Sequence, residues 1–141
     1  MGESFVIGVL TSVLTIAIQA LATILAIRLV RLIARHLPPR QRVGALVLVM
    51  ASAGTMLTLA HLVEVAVWAQ LYALVGAVPM EDAYYLAFVN FTTLGYGDIL
   101  PAPDWRVLGP FAAANGMLLF GWSTAVLFAV LTRSLHILHL R

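Results

Sequence analysis

The sequence predicts an all-α integral membrane protein, with three transmembrane helices and a short re-entrant segment between the second and third. Three observations carry that reading. Of 141 residues, 62% are hydrophobic and 10% charged, with a mean hydropathy of +1.02, which leaves too little polar surface for a soluble domain. Three apolar runs are each long enough to cross a hydrocarbon core of about 30 Å at about 1.5 Å per residue. The loops between them also sort by charge, basic on one side and acidic on the other. There are no cysteines, hence no disulfide framework or thiolate metal site. The formal charge of +2 rests on arginine alone, and it is too slight to imply a nucleic-acid partner.

The first span covers residues 5–27 without a charge. Its leading "MGES" contains an acid, and the arginines follow the apolar run, the reverse of a cleaved signal peptide. "MGESFV" also lacks the Ser or Thr that N-myristoylation needs at its sixth position. Residues 1–36 therefore form an N-terminal transmembrane unit ending in Arg28, Arg31 and Arg35. Those arginines sit just before "LPPR", where long side chains snorkel to the headgroups. A voltage-sensing ladder would need partner helices with counter-charges, and only one helix precedes the second span.

The second span runs over 43–78, interrupted by His61 and Glu64. It would measure about 54 Å if wholly helical, so it either tilts and projects or turns 69–78 into an apolar turret, with the first span as a cover. A short helix at 81–92 is too brief to cross and reads as re-entrant. Its first turn holds Glu81 and Asp82 after Pro79, acids that suit the positive end of a helix dipole. Residues 93–98 are irregular, and the third span covers 105–135.

Charge sets the expected topology. Arg28, Arg31, Arg35, Arg40 and Arg42 lie between spans one and two, and Arg133 and Arg141 follow span three. Glu81, Asp82, Asp98 and Asp104 lie between spans two and three, with Arg106 at the edge. By the positive-inside rule the arginine-rich ends are cytoplasmic, and the N-terminus and acidic loop face outward.

The irregular stretch, "NFTTLGYGDILP" at 90–101, is the chemical centre. Non-helical backbone is tolerated at membrane depth where it lines a water-filled path. Gly95 and Gly97 alternate with residues that carry side chains, and glycine adopts positive φ freely. Successive carbonyls can then face one side, giving an oxygen ladder from Thr93, Leu94, Gly95 and Tyr96 with the Thr93 hydroxyl beneath. Such oxygens replace the hydration shell of a weakly charged cation. A phosphate loop would end in Gly-Lys-Ser/Thr, and the chain has no lysine.

"TTLGYGD" resembles the selectivity filter of potassium channels, written TVGYG followed by Asp, with Leu94 in the common Val position. The likeness extends to "MEDAYYLAFVNFTT" before it, "DILP" after it and a glycine-containing helix beyond, over about residues 42–133. It implies a pore domain at 42–141, with outer helix 43–78, pore helix 81–92, filter 93–98 and inner helix 105–135. It implies K+ at Thr93, Leu94, Gly95 and Tyr96, a filter completed by Gly97, and Thr92 and Asp98 flanking it. Tyr96 would pack behind the filter against Tyr84, Tyr85 and Phe88. The chain departs from the pattern with Tyr85 and Leu86 where many relatives have two tryptophans, and with Val89 where some have glutamate. Asp98 thus lacks a familiar partner, and the Tyr85 hydroxyl is the candidate substitute.

One chain supplies one strand of carbonyls and contains no internal repeat, so a homotetramer about a cyclic axis is expected. The expected function is a potassium-selective channel subunit in a bacterial inner membrane. It is not an enzyme, it has no cofactor beyond the permeant K+, and it has no nucleic-acid or soluble-domain partner. Two alternatives stay open: a weakly selective cation channel of the same architecture, and a non-conducting assembly or sensor subunit.

A second constellation lies on span two. Gly54, Leu57, His61, Glu64, Trp68, Tyr72 and Val75 share one helical face. An intramembrane glutamate calls for a partner, and both His61 and the Trp68 indole N–H are candidates. The set reads as a structural contact to the short or inner helix, or as a proton-sensing switch coupling Glu64 to the filter. His-x-x-Glu offers too few ligands for a metal. In span three, Gly121, ahead of Gly116, is the candidate gating hinge that the resemblance implies, with small-residue helix packing as the equal alternative, and Asn115 is expected to bond a neighbouring helix.

Overall fold

The computed structural model describes residues 2–36 and 42–137. It contains four α-helices and no strand among the described residues: α1 (Gly2–His36), α2 (Arg42–Leu74), α3 (Met80–Phe91) and α4 (Leu108–Ile137), with a 3-10 turn at Pro103–Trp105 ahead of α4. Three helical stretches are long and apolar enough to cross a membrane: Gly2–Ile33, Val43–Leu74 and Pro103–His136. Arg40 and Arg141, two of the arginines assigned to the cytoplasmic side, lie outside the described residues.

α1 is apolar but carries one polar and small-residue seam. Ser4, Gly8, Thr11, Thr15, Gln19, Ala22 and Ala26 are buried along it, at spacings of three or four that keep one face turned to its neighbours. Small residues let membrane helices approach closely. The Phe111 ring of α4 occupies the space a Gly8 side chain would need, and Phe5 meets the same ring edge-on at 5.1 Å. Thr11 and Ser12 donate to the carbonyls of Ile7 and Gly8, both at 2.9 Å, so their hydroxyls carry no unmet donor into lipid.

Helix direction follows from the cross-contacts. Thr15 meets Asn115 and Gln19 meets Ser123, so α1 and α4 run parallel. His61 meets Ser123 and Trp68 meets Asn115, so α2 runs the other way. The exposed Arg28, Arg31 and Arg133 therefore gather at one end, and Glu81, Asp98 and Asp104 at the other.

The second helix is shorter than expected, ending at Leu74 instead of continuing to 78. Gly76 takes φ of 67°, Ala77 N–H donates to Tyr72 at 2.8 Å, and Gly76 N–H donates to Ala73 at 3.1 Å. That pair of bonds is a Schellman stop, and glycine fits its left-handed position. The apolar 69–78 segment is covered by α3 and the start of α4 rather than by α1 alone: Trp68, Ala69, Tyr72, Ala77 and Val78 join Ala83, Leu86, Ala87, Phe91, Leu108 and Ala112 in one core. α3 begins and ends one residue earlier than 81–92. α4 begins at Leu108 rather than 105, because the prolines at 101 and 103 favour a turn there.

Candidate functional site

α3 aims its C-terminal end at the irregular segment. Thr92 caps it, with its amide and hydroxyl both bonded to the Phe88 carbonyl, at 3.0 and 2.7 Å. The negative end of the helix dipole thus lies at the base of residues 93–97. Glu81 and Asp82 occupy the opposite, positive end.

From Thr93 to Gly97 the sign of φ alternates. Thr93, Gly95 and Gly97 have φ of 61°, 62° and 74°, while Leu94 and Tyr96 are negative. Alternation of positive and negative φ allows successive carbonyls to turn toward a common side. The amides at the base are tied back to α3: Thr93 N–H donates to Asn90 at 2.9 Å, and Leu94 and Gly95 N–H to Val89 at 2.9 and 3.4 Å. None of the carbonyls from Thr93 to Gly97 accepts a bond from another described backbone amide. Their oxygens remain free, and residues 92–98 are all exposed in the single chain.

The positive φ of Thr93 was not legible from its type, because a β-branched residue there is strained. The Gly95 and Gly97 angles follow from their lack of a Cβ. A Cβ added at Gly95 would touch only the Thr93 carbonyl oxygen at 3.9 Å, and one at Gly97 nothing, so both glycines are there for backbone angle and not for space.

Asp98 closes the segment. Its carboxylate accepts from the Tyr85 hydroxyl at 2.6 Å. That bond, helped by the amides of Asp98 and Ile99, holds the Asp98 carboxyl below the usual carboxylate range. The same bond pushes the Tyr85 hydroxyl up. Both side chains are open to solvent in the single chain. Val89 is buried and acts through its carbonyl, and Leu86 is buried in the core. Tyr84 packs on Phe88, but Tyr96 is 67% exposed. The expected packing behind the filter is not made within one chain.

Two braces fix α3 against its neighbours. Asn90 donates to the Tyr72 hydroxyl at 3.0 Å, and that hydroxyl donates to the Leu108 carbonyl at 3.4 Å. Gly116 of α4 lies directly against the Phe91 carbonyl, leaving no room for a side chain. Gly116 is thus a packing glycine, whereas Gly121 faces open space.

The α2 constellation is assembled, with one correction. His61 Nδ1 lies 2.8 Å from Glu64 Oε2, but the Trp68 indole donates to Asn115 Oδ1 at 3.1 Å and not to Glu64. Glu64 and Trp68 are only one turn apart, and the indole reaches across to α4 instead. His61 Nε2 contacts Ser123 Oγ at 2.9 Å, so the pair faces α4 rather than residues 93–97. Asn115 Oδ1 also accepts from Thr15 at 2.7 Å, and Gln19 donates to Ser123 at 2.7 Å. The roles of Thr15 and Gln19 went unread in the sequence. The signal was present as polar residues at three- and four-residue spacing on an otherwise apolar span.

No group of three or more metal-ligating His, Cys, Asp or Glu side chains occurs among the described residues. No curated protein and no solved structure matches the chain. A family model described as "Ion channel" matches residues 44–133, well over half the chain and inclusive of α3, the alternating segment and most of α4. The chain belongs to this ion channel family.

Proposed function

We propose that the chain is one subunit of a potassium-selective channel, in which four copies surround an axis and Thr93 to Gly97 of each line the path. One observation carries the reading: φ alternates in sign through five residues whose carbonyls have no backbone donor. Four such strands would offer stacked rings of oxygens that replace the hydration shell of K+, with the Thr93 hydroxyls at the inner end. Binding at several adjacent rings, each weak enough to release, allows single-file passage. Conduction of this kind is passive and makes or breaks no bond, so we read the chain as a channel and not an enzyme.

The surroundings support the reading. The negative end of each α3 would favour a cation beneath the filter. Asp98, Glu81 and Asp82 from four chains would concentrate cations at the mouth. The exposed side of α4, with Met117, Gly121, Thr124 and Phe128, and the exposed Tyr96 would meet neighbouring copies or the path. With Arg28, Arg31 and Arg133 together at one end, the positive-inside rule makes that end cytoplasmic and the acidic mouth external.

The test is ion flux from liposomes containing the purified protein, with Gly95→Ala as control. Faster K+ than Na+ flux, lost in the variant, is expected. Equal fluxes would favour the weakly selective channel, and tetramers passing no ion would favour an assembly subunit.

A further inference from the structure

α4 is a single unbroken helix, and two buried polar rungs cross it from α1 to α2. The first joins Thr15 to Asn115 and Asn115 to Trp68. The second runs from Gln19 to Ser123, His61 and Glu64. Gly121 lies between their attachment points on α4, and its own surroundings are open.

The second rung has a consistent polarity. Gln19 Nε2–H donates to Ser123 Oγ, and with His61 as its Nδ1–H tautomer the Ser123 hydroxyl donates to Nε2 and the ring N–H to Glu64 Oε2. Each group supplies what the next requires. In hydrocarbon no water competes for these partners. Gln19 and Glu64 are fully buried, yet Oε1 of each has no hydrogen-bond partner among the described residues. Three bonds run through Ser123 and His61, while Gln19 Nε2 also reaches the Leu119 carbonyl at 3.5 Å, ahead of Gly121; the rung is not saturated.

The two rungs respond differently to a bend at Gly121. Asn115 is fixed beside Gly116, which is pressed against the Phe91 carbonyl of α3, so the first half of α4 stays with the pore helix. Ser123 lies beyond Gly121 and travels with the second half. Bending would separate Ser123 from Gln19 and His61 while leaving the Thr15–Asn115–Trp68 rung intact.

We propose that α1 is a latch on the inner helix: the Gln19–Ser123–His61–Glu64 rung holds α4 straight and must part before α4 bends at Gly121. Its meaning for gating rests on the channel reading above. The latch itself is a statement about helix geometry. An interhelical hydrogen bond in a membrane typically shifts such an equilibrium by roughly 3- to 20-fold.

The experiment compares wild type, Gln19→Leu, Ser123→Ala and Thr15→Val in lipid bilayers. The chain has no cysteine, so spin labels placed through Leu25→Cys on α1 and Phe128→Cys on α4 are unambiguous; both positions are exposed. Labelled chains are diluted with unlabelled ones so that distances within one subunit dominate. Gln19→Leu and Ser123→Ala should each raise the population with separated labels by roughly 3- to 20-fold. The double variant should do no more than either single, because both break one rung. Thr15→Val should leave the distances unchanged, and open probability should follow the same order. An unchanged distance distribution in Gln19→Leu and Ser123→Ala would overturn the latch, as would an equal effect of Thr15→Val. Absence of current from every variant would refute the conducting reading, and the label distances would still decide the latch.

Discussion

Replacing Gly95 by alanine tests whether backbone angle, and not side-chain space, makes the proposed filter. Gly95 sits at φ of 62°, where an L-residue costs about 1–2 kcal/mol relative to its relaxed conformation. A Cβ there meets only the Thr93 carbonyl oxygen, at 3.9 Å, an ordinary contact, so collision adds nothing. If four copies must adopt the angle together, the ring loses about 4–8 kcal/mol, roughly three to six orders of magnitude in the population of the binding conformation. The assay is K+ flux from liposomes beside a check that the variant assembles like wild type. Flux should vanish while assembly persists. D-alanine at the same position, for which positive φ is the relaxed state, should restore flux. Wild-type flux and selectivity in Gly95→Ala would refute the reasoning, because the carbonyl ladder would then not depend on the alternation of φ.

Other outcomes follow from neighbouring contacts. Gly116→Ala drives a methyl into the Phe91 carbonyl and should cost about 1–3 kcal/mol. Gly121→Ala meets open space and should gain about 0.5–1 kcal/mol of helix stability. Thermal unfolding in detergent separates the two, and equal midpoints would contradict the packing role of Gly116. Tyr85→Phe removes the main cause of the lowered Asp98 pKa. A depressed carboxylate stabilises the folded loop above its unfolded pKa and loses that contribution as pH falls through the folded value. In Tyr85→Phe the loss should therefore begin at higher pH than in wild type, read by NMR titration of the Asp98 carboxyl. An unshifted titration would remove the Tyr85–Asp98 bond from the account.

The sequence was informative where local chemistry decides. Gly95 and Gly97 announce positive φ because few other residues tolerate it, and the three spans announce themselves by length and apolarity. The short helix, too brief to cross, announced the irregular segment that lies between α3 and α4. Legibility failed where a neighbour decides. Thr93 shares the left-handed angle of the glycines, held by ties to α3 that its residue type does not reveal. The stop at Leu74 had a local signal in Gly76, hidden within an apolar run that reads as continuing helix. Trp68 lies four residues from Glu64, but its indole finds Asn115 on another helix. Thr15 and Gln19 looked like tolerated polar residues in a span until α4 was packed beside them. Gly116 and Gly121 are indistinguishable as letters, and only their surroundings separate packing from freedom.

The most direct measurement of the central claim is the reversal potential of single channels, with K+ on one side of a planar bilayer and Na+ on the other. A filter of backbone carbonyls from Thr93 to Gly97 predicts a reversal potential displaced strongly toward that of a membrane permeable to K+ alone. A reversal potential near zero, from channels that conduct both ions equally, would contradict it.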